Sequence, residues 1–120
     1  MDELVRWLGA QLDEDERIAR RAGDSFRQIG ETGVIVATEG DRAEECASAN
    51  WAGVAAHIVT HDPARVLREV AAKRQIIERC TRVQGLLLDD FTAERLADDV
   101  LALLALPYAD RPGYREEWRP

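Results

Sequence analysis

Residues 61–70, HDPARVLREV, contain the strongest local folding signal in the chain. An aspartate such as Asp62 accepts hydrogen bonds from the free N–H groups at the start of a helix, and a proline such as Pro63 suits the first helical position. Apolar residues then recur at helical spacing; they are Val66, Leu67, Val70, Ile77 and Cys80. We therefore predict a helix from Pro63 to about Arg82, ended by Gly85.

The N-terminus has a second helical pattern. Leu4, Leu8 and Leu12 are four residues apart, which places them on one face of a helix. Gly23 is the kind of residue that commonly ends a helix. Residues 1–23 are therefore predicted to form the N-terminal helix.

Two further helices complete the helical part of the prediction. A short helix with Asn50 as its cap precedes the helix at Pro63, and the two form a helical pair over residues 50–84. The last helix is predicted over residues 89–106 and ended by Pro107; its apolar positions are Phe91, Leu96, Val100, Leu103 and Leu104.

Residues 25–49 have the composition of a β-hairpin region. The β-branched run Val34–Val36 favours a strand, and Gly30 and Gly33 favour the turn before it. Residues 42–48 fit either a third strand or the start of a helix, and the sequence leaves both open. Since a two- or three-stranded sheet is only marginally stable alone, it must pack on helices.

Together these elements predict an α+β fold in a single domain over residues 1–120. The fold is mainly helical, with three principal helices and one short helix packed on a small two- to three-stranded antiparallel sheet. Composition agrees, because 46% of residues are apolar and only 6% are aromatic. That apolar content is mostly Ala, Leu, Val and Ile, which favours helices over a β-sandwich.

The charge of the chain argues against two classes of partner. The formal net charge is −7, so the protein is repelled by nucleic acid and by anionic membranes, and direct nucleic-acid binding is not expected. No stretch approaches the roughly 18 apolar residues that a membrane span needs. The first residues, Met1–Leu4, are acidic where a signal peptide is basic, so we expect a cytoplasmic protein.

His57 and His61 are the weak candidates for a metal site. Four residues apart, they share a face if the helix continues between them. Zinc needs three or four ligands, so Asp62, Cys46 or Cys80 would have to complete the site. The alternative is that Asp62 caps the next helix and His61 lies in the turn before it. We expect no cofactor, and reduced cysteines that serve in packing.

Basic residues form a stripe on the predicted helix 63–82. They are Arg65, Arg68, Arg79 and Arg82, with Lys73 and Arg74 beside them. Such a stripe suits a phosphate or an acidic partner. The alternative is a solvated helix face that nearby glutamates neutralise.

Catalytic motifs are missing from the sequence. No nucleophile–base set, phosphate-binding glycine loop or dinucleotide fingerprint occurs. The paired carboxylates Asp89-Asp90 and Asp98-Asp99 are better explained as solvated charge near a helix start than as a metal or acid–base site. The sequence therefore favours a protein without enzymatic activity.

The C-terminal arm, residues 107–120, carries Tyr108, Tyr114 and Trp118 among prolines and glycine. Large aromatic residues seldom decorate a free tail, and with Arg115 they are the types enriched at interface hot spots. The arm is predicted to lie along its own core or to contact a partner, including a second copy of the chain.

Two segments resemble a known family. They are HDPARVLREV at 61–70 and LLALPYADRPGYREEW at 103–118, and both are long and specific. Together with the acidic first helix, they closely resemble a family of short actinobacterial and phage proteins, the domain of unknown function 6221. The resemblance implies no activity. Relatives carry several Cys and His residues between the two segments, whereas residues 81–90 here contain neither. A metal role taken from relatives is therefore in doubt.

The functional expectation is a non-enzymatic interaction or regulatory protein, associated with phages or mobile elements and able to form a homodimer. It rests on the missing catalytic motifs and on the aromatic arm. Two alternatives stay open. One is a small metal-binding protein that uses His57 and His61, and the other is an acidic inhibitor of a nucleic-acid enzyme.

Overall fold

A computed structural model describes residues 2–86 and 91–120, in which one helix precedes a three-stranded sheet and three further helices follow it. The helices are α1 (Asp2–Arg21), α2 (Ala52–Thr60), α3 (Pro63–Gln84) and α4 (Thr92–Ala105), the strands are β1 (Ser25–Gln28), β2 (Val34–Glu39) and β3 (Arg42–Ser48), and two short 3₁₀ helices follow at Leu106–Tyr108 and Glu116–Trp118. The α+β prediction, with three principal helices, one short helix and a small antiparallel sheet, is confirmed. In the described part of the chain, no helix is both long and apolar enough to cross a membrane.

The structure corrects the predicted cap of the short helix and assigns the ambiguous segment 42–48. The short helix α2 follows Trp51, which makes no side-chain cap hydrogen bond, so Asn50 is not its cap. The ambiguous segment 42–48 is strand β3, because pairing with β2 outweighs the helical propensity of its alanines and glutamates. Of the predicted last helix, residues 89–90 lie outside the described residues.

The chain divides into two compact units, and each is described by itself. Met1–Asp13 and Ala71–Pro120 form one unit, called here the terminal unit. Glu14–Val70 form the other, called here the sheet unit. The divisions fall within α1 and α3. The single domain over residues 1–120 stays a prediction.

The sheet unit is built around an antiparallel sheet of order β1-β2-β3. Its central strand β2 carries the fully buried Ile35, and α2 packs against β1 and β2. A bulge between Ile35 and Val36 shifts the pairing with β3. Strand β3 pairs with β2 on one side only, and all seven of its residues are exposed. The apolar interior of this unit therefore lies under β1 and β2.

Asp62 links the start of α3 to the sheet. Its Oδ1 accepts a hydrogen bond from the Arg65 backbone N–H at 3.0 Å, which is the predicted helix cap. Its Oδ2 accepts one from the Phe26 backbone N–H on β1 at 3.2 Å. One side chain therefore satisfies two backbone donors on separate elements.

The core of the terminal unit comes from three helices. The leucines of α1 at positions 4, 8 and 12 are fully buried, as the N-terminal pattern predicted. Four residues of α4 are buried on one side of that helix, and α3 adds one buried thiol. They are Ala97, Leu101, Ala102, Ala105 and Cys80. Small alanines on α4 permit close packing around Leu101.

We expect Asp62→Ala to lower the free energy of unfolding by about 2 kcal/mol, because it removes the cap of α3 and leaves the Phe26 N–H without its acceptor. Asp62→Asn keeps one oxygen and should lose about half as much. Urea denaturation followed by circular dichroism measures both. The control is Glu31→Ala, an exposed loop change that should cost less than about 0.5 kcal/mol. Equal stability of Asp62→Ala and this control would contradict the linking role of Asp62.

Candidate interaction surface

The C-terminal arm lies along helix α1 within the terminal unit. Three aromatic rings meet there: Trp7 of α1 is 5.6 Å from Tyr114 and 5.5 Å from Trp118, and the last two are 5.8 Å apart, between ring centroids. Tilted and edge-to-face pairs at such distances contribute about 1 kcal/mol each beyond their burial. The arm is therefore held by its own chain.

Polar contacts tie the arm to the same face of α1. Positions 3, 7 and 11 are four residues apart and share that face. Each has a partner in the arm: Glu3 forms an ion pair with Arg115, Trp7 Nε1 donates to the Pro112 carbonyl at 3.0 Å, and the Arg111 guanidinium donates to Gln11 Oε1 at 3.3 Å. The arm therefore has a defined register along two turns of helix.

Tyr108, at the start of the arm, is enclosed by its own unit. Its ring is buried and lies under two cations, with Arg111 at 4.7 Å and Lys73 at 5.4 Å from the ring centroid. Contacts of this kind are favourable when they are partly desolvated. A partner cannot reach this ring without displacing the arm.

The end of the arm carries a paired carboxylate and guanidinium. Arg119 Nε donates to Glu116 Oε2 at 2.8 Å. This hydrogen bond lowers the pKa of the Glu116 carboxyl and raises the pKa of Arg119, and both side chains are exposed. The pair therefore stays charged but contributes no net charge to the arm.

The arm residues predicted to bind a partner are thus engaged within the terminal unit. Tyr108 is buried, Tyr114 and Trp118 are half-buried, and Arg115 is exposed beside Glu3. Of the two alternatives for the arm, the structure shows the one in which the arm packs on its own chain. Partner binding by the exposed edges of these arm residues stays a prediction.

A different surface, on helix α4, leaves large apolar side chains in water. Leu96 is 63% exposed and Leu103 is 56% exposed. With Ala93 and Val100 they follow a 3-4-3 spacing along one side of the helix, called here the α4 face. In the sequence, Leu96, Val100 and Leu103 indicate the helix but not its exposed side, because spacing alone does not show which of two apolar stripes is buried.

An apolar groove of about 300 Å³ lies beside the α4 face, between α3 and α4. Its apolar walls are Ile76, Cys80 and Val83 on α3 and Ala93, Leu96 and Val100 on α4. Burial raises the pKa of the Cys80 thiol, so it remains protonated and behaves as a small apolar group. The groove can accept an apolar side chain from outside the unit.

Half of the six basic residues in the α3 stripe have carboxylate partners among the described residues. In the sheet unit, Arg65 Nε is 2.9 Å from Glu69. In the terminal unit, two more arginines have carboxylate partners: Arg74 with Asp13 at 2.8 Å and Arg82 with Glu78 at 2.7 Å. Arg68 and Arg79 form no ion pair among the described residues, and Lys73 contacts the Tyr108 hydroxyl. Binding of an acidic partner by Arg65 and Arg68 stays a prediction.

His57 and His61 stand side by side at the end of α2. Their ring centroids are 4.5 Å apart, and His61 Nδ1 lies 2.8 Å from the His57 carbonyl oxygen. Asp62 is engaged as the cap of α3, as the alternative in the sequence analysis had it. Within residues 2–86 and 91–120, no group of three or more His, Cys, Asp or Glu side chains could hold a metal ion. The pair offers two ligands, fewer than zinc sites use.

Comparison with protein families supplies the classification. The model of the family of unknown function DUF6221 matches residues 1–120. The chain belongs to this family. No curated protein and no solved structure matches it.

In this DUF6221 member, cysteines and paired acids do not form a common site among the described residues. Both cysteines are free thiols; Cys80 is a packing residue, as predicted, whereas Cys46 is exposed on β3, so the packing prediction is wrong for it. Asp98 accepts a hydrogen bond from the Gln84 side-chain amide, and Asp99 is exposed. Asp89 and Asp90 lie outside the described residues.

Gly113→Ala should destabilise the terminal unit by more than about 1 kcal/mol. Gly113 has φ +91°, and an added Cβ would lie 2.7 Å from Trp7 Nε1, so the arm could not approach the indole. Thermal unfolding with tryptophan fluorescence measures the loss. The control is Gly40→Ala, which has φ +58° and open space around the new Cβ. A similar loss for both variants would show that contact with Trp7 does not restrict position 113.

Tyr114→Phe should leave the free energy of unfolding unchanged or raise it by up to about 1 kcal/mol. The Tyr114 hydroxyl is buried and has no hydrogen-bond partner among the described residues. Burying such a group costs free energy, and the phenylalanine variant avoids that cost. Urea denaturation compares it with Tyr108→Phe, which loses the contact of that hydroxyl with Lys73 Nζ at 3.4 Å and should be destabilised. A larger loss for Tyr114→Phe than for Tyr108→Phe would contradict this account.

Proposed function

We propose that this chain is a non-enzymatic protein–protein interaction protein that binds through the α4 face of its terminal unit. The observation that carries the proposal is the exposure of Leu96 and Leu103, each more than half exposed, next to an apolar groove. Contiguous apolar surface is unfavourable in water, and in proteins it marks interaction sites.

The chemistry of this surface favours binding over catalysis. Leucine, valine and alanine side chains supply apolar area and contain no acid, base or nucleophile. A patch of this kind, with charged residues at its rim, has the composition of an interface core. At the rim of the α4 face, Arg95 and Asp99 are both exposed. Such groups set orientation and specificity more than affinity.

The setting of this interaction is part of the same proposal. We propose a regulatory role in the cytoplasm of an actinobacterial host, on a phage or mobile element, and the resemblance of segments 61–70 and 103–118 supports it. The arm has a supporting role, because its contacts with α1 complete the terminal unit that presents the α4 face.

The test replaces the two exposed leucines together, as Leu96→Gln/Leu103→Gln. Glutamine keeps the helical propensity of α4 but removes apolar area, so stability should change by less than about 0.5 kcal/mol per site. Native mass spectrometry of the protein purified gently from an actinobacterial host measures the associated mass, which should fall to that of the free chain.

The matched control is Ile18→Gln/Ile29→Gln, which changes two exposed isoleucines of the sheet unit. This variant should keep the associated mass of the unchanged protein. If the leucine variant also keeps it, the α4 face is not the binding surface and the proposal fails.

A further inference from the structure

We infer that the α4 face binds the α4 face of a second copy of this chain, with the two helices antiparallel. The inference rests on the proposed function and names its partner. Two features carry it: the spacing of the apolar residues on α4, and two unpaired charges of opposite sign beside them.

The apolar spacing is that of a helix-pairing seam. Positions 93, 96, 100 and 103 alternate steps of three and four residues, and all four are apolar. This is the a/d pattern of a heptad repeat, which keeps one stripe facing a partner helix. The helix already buries a separate stripe, at Ala97, Leu101 and Ala105, inside its own unit. The 93–103 seam is therefore a second packing surface on the same helix.

Two opposite charges flank the seam on one side. Arg95 and Asp99 are exposed, and with about 100° of rotation per residue both project on the same side of Leu96. Neither forms an ion pair among the described residues. An arginine that precedes an aspartate by four residues is the less favourable order for a pair within one helix. Both charges are therefore free to meet a partner.

Ala97 lies midway between Arg95 and Asp99, and the middle of the apolar seam is one residue further along the helix, at position 98. A two-fold axis at the level of Ala97 places Arg95 of each copy against Asp99 of the other, so that two ion pairs form. The same axis sets the two exposed Leu96 side chains next to each other. A parallel two-fold pair would instead put the charged sides of the two helices on opposite edges of the seam, so these two ion pairs could not form.

A two-fold arrangement also closes the surface. Both copies use the same face, so no apolar stripe remains to recruit a third copy. Each Leu96 lines the groove between α3 and α4, so apolar side chains of the second copy reach the groove mouth. The seam is only three turns long, and we expect a dissociation constant of about micromolar or weaker.

The experiment uses the purified full chain and measures its mass by sedimentation equilibrium over a concentration series. Arg95→Asp makes both flanking positions negative, and Asp99→Arg makes both positive. Each variant alone replaces two attractive contacts with two repulsive ones, so self-association should weaken about tenfold or more. An equimolar mixture of the two variants should restore dimers. In a mixed dimer, the two arginines at positions 95 and 99 of one copy face the two aspartates at these positions of the other.

The matched control is Arg68→Asp, an exposed arginine of the sheet unit with no ion pair among the described residues. It changes the net charge as Arg95→Asp does and should leave the dimer unchanged. The double variant Arg95→Asp/Asp99→Arg reverses both charges and should dimerise like the unchanged protein. Recovery in the mixture also shows that both single variants are folded.

Two outcomes overturn the inference. One is that the unchanged chain is a monomer at every concentration. The other is a wrong response to the charge changes, with a dimer that persists in both single variants or is not restored in their mixture. These failures are separable from failure of the proposed function. If the pure chain is monomeric while Leu96→Gln/Leu103→Gln still loses a mass bound in the host, the α4 face binds a different protein, and only the second-copy inference is wrong.

Discussion

The burial of Leu4, Leu8 and Leu12 on one face of α1 is the constraint on which the terminal unit depends. These side chains are fully buried, and their burial fixes the rotation of the helix about its own axis. Positions 3, 7 and 11 each precede one of these leucines, so their side chains lie on the adjoining face of the helix. This face is the one that contacts the arm. Aromatic, amide and carboxylate groups at these three positions each bind a different part of it. The path of the arm thus follows from how the leucines pack.

The sheet unit depends on a smaller device, the two oxygens of Asp62. A helix start and a strand both contain backbone N–H groups that need acceptors. One oxygen of the carboxylate accepts a hydrogen bond from the Arg65 N–H at the helix start, and the other accepts one from the Phe26 N–H of the strand. An amide side chain has a single oxygen and cannot serve both. The Asp-Pro pair that starts α3 therefore also positions β1 beside that helix.

Much of the fold could be predicted from local chemistry. Asp62 and Pro63 mark the start of α3, and Gly23 follows the end of α1. Such helix-capping and helix-ending residues can be recognised from the sequence because they affect only the few residues next to them. Strand β3 could not be assigned, since its alanines and glutamates favour a helix, and only pairing with the distant β2 makes it a strand. The same limit applies to α4, where Ala97, Leu101 and Ala105 form one apolar stripe and Ala93, Leu96, Val100 and Leu103 another. Periodicity identifies the helix, but the stripe that is buried depends on its neighbours.

Strand β3 is an edge of the sheet along its whole length, and edges of this kind can pair with another chain and start aggregation. Its middle carries Glu44 and Glu45 in succession, so one carboxylate lies on each side of the strand. If two copies approached edge to edge in antiparallel fashion, these acids would lie opposite one another, and like charges across a strand pair are destabilising. The same two glutamates that make the strand hard to recognise in the sequence therefore disfavour antiparallel pairing of two such edges in the registers that bring the carboxylates together.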